Sequence, residues 1–208
     1  MKLASIAAGL ALIAAGVVLV AYGLFSGGDD GSRQISALPA PSSDTPAPAP
    51  TEAPPKAPVV RIEVPGLEID APVVSLGVLP DGVMESPHTP TEVGWYRFSA
   101  QPGSVGNAVF AGHVDYANYG PAVFFRLREL KFGDVIRVQL EDGSSFVYSV
   151  VSSHVYDAEN APVQEIVGPT DNETITLITC TGVFDRNVLE YDKRLVVRAE
   201  RNPVALLP

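Results

Sequence analysis

The chain has a single cysteine, Cys180, so no disulfide can close within it. It has only three histidines, His88, His113 and His154, and they are scattered. One thiol and three separated imidazoles lack the close ligand spacing of a zinc site, so neither a metal nor any other cofactor is expected. Asp134, Glu141 and Asp142 read as turn and hairpin acids rather than as calcium ligands. No run of Lys or Arg offsets a formal net charge of −10. A surface that acidic repels phosphate backbones, which excludes nucleic acid as a partner. Long helical periodicity is missing as well. Only AVFFRLREL (122–130) and PVQEIV (162–167) could form a short helix or a helical turn. There is no internal repeat.

The first long feature present is apolar. Leu3 to Phe25 carries no charged side chain, and a helix needs about 20 apolar residues to cross a bilayer core. Lys2 lies on one side of this run, and Asp29 and Asp30 on the other. The positive-inside tendency then places the N-terminus in the cytoplasm and the rest of the chain outside. A cleaved signal peptide has a shorter apolar core, about 7 to 15 residues, followed by a small-x-small site. Residues 1–26 are therefore expected to be an uncleaved transmembrane signal-anchor of a single-pass cell-membrane protein. Residues 27–58 are rich in Pro, Ala and Ser and nearly free of large apolar side chains. Such a stretch cannot bury enough surface to offset its ordering entropy, and its prolines favour extended geometry. It is expected to be a disordered extracellular linker.

Residues 59–208 are about the size of one globular domain. Short β-branched runs alternate there with turn residues: VVRIEV (59–64), PVVSLGV (72–78), NAVFAG (107–112), VIRVQL (135–140), SFVYSVVSS (145–153), TITLIT (174–179) and LVVRAE (195–200). Glu141 to Ser144 reads as a hairpin turn. Many short strands with few helices predict an all-β domain, a closed barrel or a sandwich.

An unpaired thiol in an exported domain calls for a chemical reading beside the structural one of a small buried hydrophobe. Cys180 is expected to end the strand TITLIT and open a loop. His113 directly follows the apolar run NAVFAG, and Arg194 is expected to start the next strand. Antiparallel neighbours place the end of one strand beside the start of the next, so Cys180 and Arg194 come close by topology. A thiol needs a base or a positive charge to become a nucleophile. His113 is the candidate base, with His154 second to it. Arg194 is the candidate cation, with Arg186 in the same loop and Arg198 on the same strand as rivals. Asp115 is placed to orient His113 or to be an ordinary loop acid; Asn118 and Tyr119 read as loop residues.

Thr176-Leu177-Ile178-Thr179-Cys180, with Arg194 downstream and GNAVFAGHVD upstream, resembles the signature of the sortase family. The opening RIEVPGLEIDAPVV and the stretch PDGVMESPHTPTEVGWY look like its early strands, so the resemblance spans essentially residues 59–200. It implies an eight-stranded sortase-type β-barrel with one or two short helices. It implies a cysteine transpeptidase whose Cys180 thiolate attacks the Thr–Gly bond of an LPXTG-like sorting signal. It implies His113 as acid and then base, and Arg194 as substrate and oxyanion binder; Thr179, next to the thiol, is placed at the substrate. The implied partners are surface proteins bearing sorting signals and an amine acceptor on a peptidoglycan precursor or a pilin. Within the family the loop Thr181 to Asp185 looks most like class F; the proline that follows the cysteine in class E is absent before Pro203. Two alternatives stand beside this reading. One is a surface cysteine peptidase that passes the same thioacyl group to water. The other is a non-catalytic anchored β-barrel that binds and does not react.

Overall fold

The computed structural model describes residues 57–202. The expected signal-anchor and nearly all of the expected linker lie outside the described residues. Eight strands close into a barrel in the order β1 (Val59–Val64), β2 (Ile69–Leu76), β3 (Val93–Tyr96), β4 (Gly106–Ala111), β9 (Glu173–Asp185), β10 (Glu190–Arg201), β8 (Ser145–Asp157) and β7 (Val135–Leu140). A two-residue pair, β5 (Asp115–Tyr116) with β6 (Gly120–Pro121), stands apart. The pairings are antiparallel except β2 with β3 and β4 with β9, which are parallel. The single α-helix among the described residues, α1 (Val163–Val167), lies in the crossover between β8 and β9. The stretch 122–130 forms only a 3-10 turn, Leu127–Glu129. No helix among the described residues is long and apolar enough to cross a membrane.

The barrel interior follows from strand alternation. Ile175, Leu177, Leu195, Val197 and Ala199 point inward and join Ile62, Phe110, Phe124, Ile136 and Tyr148 in one buried cluster. Positions between them face outward. There Leu76, Tyr96 and Val109 form a second, smaller cluster, packed against Met84, Ala111, Val167 and Ile178. Five residues are too few for a helix to persist alone, so tertiary bonds hold α1. Arg198 Nη2 donates to the Glu165 and Ile166 carbonyls at 2.8 and 3.2 Å. The buried Asn107 amide donates to Ile166 and Gly168 carbonyls, and its oxygen accepts from Thr176 Oγ1 at 2.7 Å.

The two poles of the barrel differ. β1 enters at the pole where β7 turns into β8: Val59 pairs with Leu140, and Glu141 N donates to the Pro58 carbonyl at 2.9 Å. At the opposite pole β9 and β10 run past the barrel as a two-stranded ribbon. Neither Cys180 nor Arg194 therefore marks a strand terminus. β9 continues beyond the cysteine to Asp185, and β10 begins at Glu190, before the arginine. The expected loop is mostly strand because ribbon residues are exposed on both faces and so carry no burial alternation in their sequence.

Candidate active site

Cys180 and Arg194 are direct cross-strand partners on β9 and β10. Opposed residues of an antiparallel pair project from the same face, so thiol and guanidinium lie side by side on the outer wall. His113 reaches them from the next strand over. β4 runs parallel to β9 with Ala111 beside Ile178, and the alignment continues: Gly112 N donates to the Ile178 carbonyl at 3.1 Å, and Thr179 Oγ1 donates to the Gly112 carbonyl at 2.8 Å. One step further along both strands brings His113 level with Cys180. Gly112 is required by packing. A Cβ there would sit 2.5 Å from the ring of Phe124, which is fully buried.

All three groups line one cleft of about 490 Å³. Its floor is Tyr96, Ala111, Ile178 and Val196; one wall is α1 with Ala161, and the other is the β2–β3 connection with Val83, Met84, Ser86 and Pro87. An apolar trough with a few polar groups at one end suits an extended peptide segment with small and aliphatic side chains. Thr179 also borders the cleft, but its side chain is 4% exposed and its hydroxyl is engaged by Gly112.

The electrostatics of the thiol are contested. Burial pushes Cys180 above the ordinary thiol value, Arg194 pulls it back down, and Asp115 and Glu190 add to the rise. Arg194 Nη1 donates to the Tyr191 and Lys193 carbonyls at 2.7 and 3.1 Å. Among the described residues it makes no ion pair with a carboxylate. One edge of the guanidinium is thus fixed by main chain while its full charge stays beside the sulfur. Asp115 does not orient His113. Its carboxylate accepts from the Tyr191 hydroxyl, which that bond, burial and the same charge push up to about 12. The imidazole bonds through Nε2 to the Pro87 carbonyl at 2.8 Å. Its ring meets Tyr116 edge-on, with centroids 5.2 Å apart. A carbonyl only accepts, so Nε2 carries a proton, and in the neutral ring Nδ1 keeps the lone pair.

The rivals lie elsewhere. His154 is exposed on β8 opposite Val196, Arg198 braces α1, and Arg186 sits in the ribbon turn. Sequence reasoning missed Pro87, because its contribution is a main-chain oxygen that any residue supplies. Among the described residues no group of His, Cys, Asp and Glu could hold a metal ion.

The sortase domain model matches residues 62–202. Among solved structures, the chain is similar to sortase A from Corynebacterium diphtheriae, at 26% identity and a TM-score of 0.56, covering 74% of this chain and 65% of that one. The lid mutant of that enzyme aligns at 26% identity and 0.55, covering 73% and 74%. Sortase C-1 from Actinomyces oris aligns at 25% identity and 0.54, covering 70% and 72%. No curated protein sequence matches the chain.

Proposed function

Given that this chain belongs to the sortase family, whose members are cysteine transpeptidases, we propose that it cleaves an LPXTG-like sorting signal and transfers the amino-terminal fragment, through its threonine carbonyl, to an amine. The observation that carries the proposal is the pairing of Cys180 with Arg194 across β9 and β10, with His113 at the same cleft.

The chemistry runs in two halves. Cys180 Sγ, as thiolate, adds to the carbonyl carbon of the signal threonine, and the carbonyl oxygen becomes an oxyanion. Arg194 donates hydrogen bonds to that oxygen; stabilising charge that develops in the transition state is often the largest single catalytic contribution. The C–N bond breaks, and His113, holding on Nδ1 the proton given up by the Cys180 thiol, delivers it to the departing glycine nitrogen. A thioester and a free amine result. In the second half the acceptor amine adds to the thioester, His113 takes its proton, and the C–S bond breaks to return the thiolate. Because burial favours the neutral thiol, the thiolate is the minority form at neutral pH, and the Arg194 charge keeps it accessible. Thr179 acts beside the thiol by holding β9 against the β4 extension at the substrate.

Anchoring by residues 1–26, an extended tether through residues 27–58, a catalytic domain outside the cell and membership of class F complete the proposal. The length and flanking charges of the apolar run support the anchor and the placement of the domain, the Pro, Ala and Ser content of residues 27–58 supports the tether, and the loop from Thr181 to Asp185 supports the last. The natural partners would be surface proteins with sorting signals and a peptidoglycan-precursor or pilin amine.

The test is incubation of the purified domain with an LPXTG-type peptide, with and without a primary amine, followed by mass spectrometry. The expected products are a thioacyl adduct on Cys180 and, when the amine is present, a new amide. Cleavage that ignores the amine would instead mark a peptidase. Absence of any adduct would mark a binding module.

A further inference from the structure

The imidazole of His113 is held by more than one carbonyl. The connection between β2 and β3 folds so that a single carboxylate oxygen, Glu92 Oε1, accepts two successive backbone N–H groups, those of His88 and Thr89, the latter at 3.2 Å. The His88 N–H belongs to the same peptide plane as the Pro87 carbonyl, which accepts from His113 Nε2 at 2.8 Å. The Thr89 N–H belongs to the plane of the His88 carbonyl, which accepts from the Tyr116 hydroxyl at 2.9 Å. Tyr116 is the ring that meets His113 edge-on. Two adjacent peptides thus stand between one carboxylate and one aromatic pair, their N–H ends bound to the acid and their oxygens to the rings.

Hydrogen bonds in series polarise one another. A carboxylate on the N–H end of a peptide makes the carbonyl end a stronger acceptor, and a bond to an ionised group is about twice as strong as one between neutral groups. We propose that Glu92 is a positioning residue for the catalytic histidine: acting through the Pro87–His88 peptide, its charge locks His113 in the Nε2–H tautomer and leaves Nδ1 to exchange the proton in acyl transfer. A carboxylate commonly fixes the tautomer of a catalytic imidazole by direct contact; here the candidate for direct contact, Asp115, is turned toward Tyr191. Pro87 is buried and Glu92 and His113 are half-buried, while His88, Thr89 and Tyr116 are exposed, so the Pro87–His113 bond is the best shielded part of the relay.

The inference rests on the transpeptidase reading for its catalytic meaning, but the tautomer can be measured without turnover. With 15N-labelled histidine, the wild-type His113 ring in its neutral form is expected to show a protonated Nε2 and an unprotonated Nδ1. Glu92→Gln keeps an oxygen for the two N–H groups and removes the charge. It is expected to shift the ring toward the Nδ1–H tautomer and to lower amine-dependent transfer about tenfold, with peptide KM and unfolding temperature little changed. Glu92→Ala should show the same spectroscopic change in larger measure. A wild-type ring protonated on Nδ1 overturns the proposal whether or not any variant folds. So does a Glu92→Gln enzyme with wild-type tautomer and rate, which would reduce Glu92 to a cap on its loop. If the wild-type protein transfers nothing yet its tautomer changes with Glu92→Gln, the relay stands and the transpeptidase reading fails.

Discussion

Two arginines on β10 sit near opposite poles of the barrel and live in different surroundings. Arg201 is neutralised. Its Nε lies 3.2 Å from Glu173, its guanidinium covers the rings of Phe146 and Tyr148, and the Tyr148 hydroxyl donates to the same carboxylate at 2.7 Å. Among the described residues Arg194 hydrogen-bonds only main-chain carbonyls, and its partner on β9 is a thiol. A charge that already has its counter-ion contributes to the fold; a charge held in place without one keeps its capacity for a substrate or a developing oxyanion. Residue type, strand and chemistry are shared, so the difference lies in what the partner strands supply.

The largest effect should come from the cleft pole. Cys180→Ala is expected to abolish thioacyl formation and amide transfer, as read by mass spectrometry, while leaving the fold intact. Next, Arg194→Gln should lower the transfer rate by roughly 10²–10³-fold, the scale for losing an oxyanion donor, with little change in unfolding temperature. A large stability loss there would erase the contrast between the two arginines. Arg201→Gln should do the reverse, costing about 1 kcal/mol in denaturant unfolding because Glu173 loses a half-buried ion pair and Phe146 and Tyr148 lose the guanidinium over their rings, with transfer per folded molecule retained.

The smallest expected change is in alkylation of Cys180 by iodoacetamide. Thiolate is the reacting form and the thiol is shifted upward, so the rate should keep climbing with pH beyond the range of an ordinary thiol. Arg194→Gln removes the charge that favours thiolate and should move the midpoint further up. Asp115→Asn removes one that opposes it and should move the midpoint down, giving a few-fold faster alkylation at a fixed neutral pH.

The barrel strands were legible because each buries one face. VVRIEV and VIRVQL coincide with β1 and β7, and TITLIT lies within β9. β3 escaped the reading of periodicity because it is four residues long and Gly94 reads as punctuation. In the fold that glycine makes room for Leu76, whose side chain would lie 2.0 Å from a Cβ. The convergence of Cys180, His113 and Arg194 on one cleft was legible from topology, although both strand termini were misplaced. What the sequence could not reveal was how the imidazole is held. Asp115 is the nearer acid in sequence, whereas the peptide between Pro87 and His88 contributes no side-chain chemistry to read.

The chain enters β1 at the pole remote from the thiol, where Gln101 Nε2 binds the Ala57 carbonyl. A resin, dye or fusion partner joined ahead of Ala57 through a short spacer would therefore project from the end of the barrel away from the cleft, and the domain could be immobilised by that end with its sulfur still open to incoming peptide.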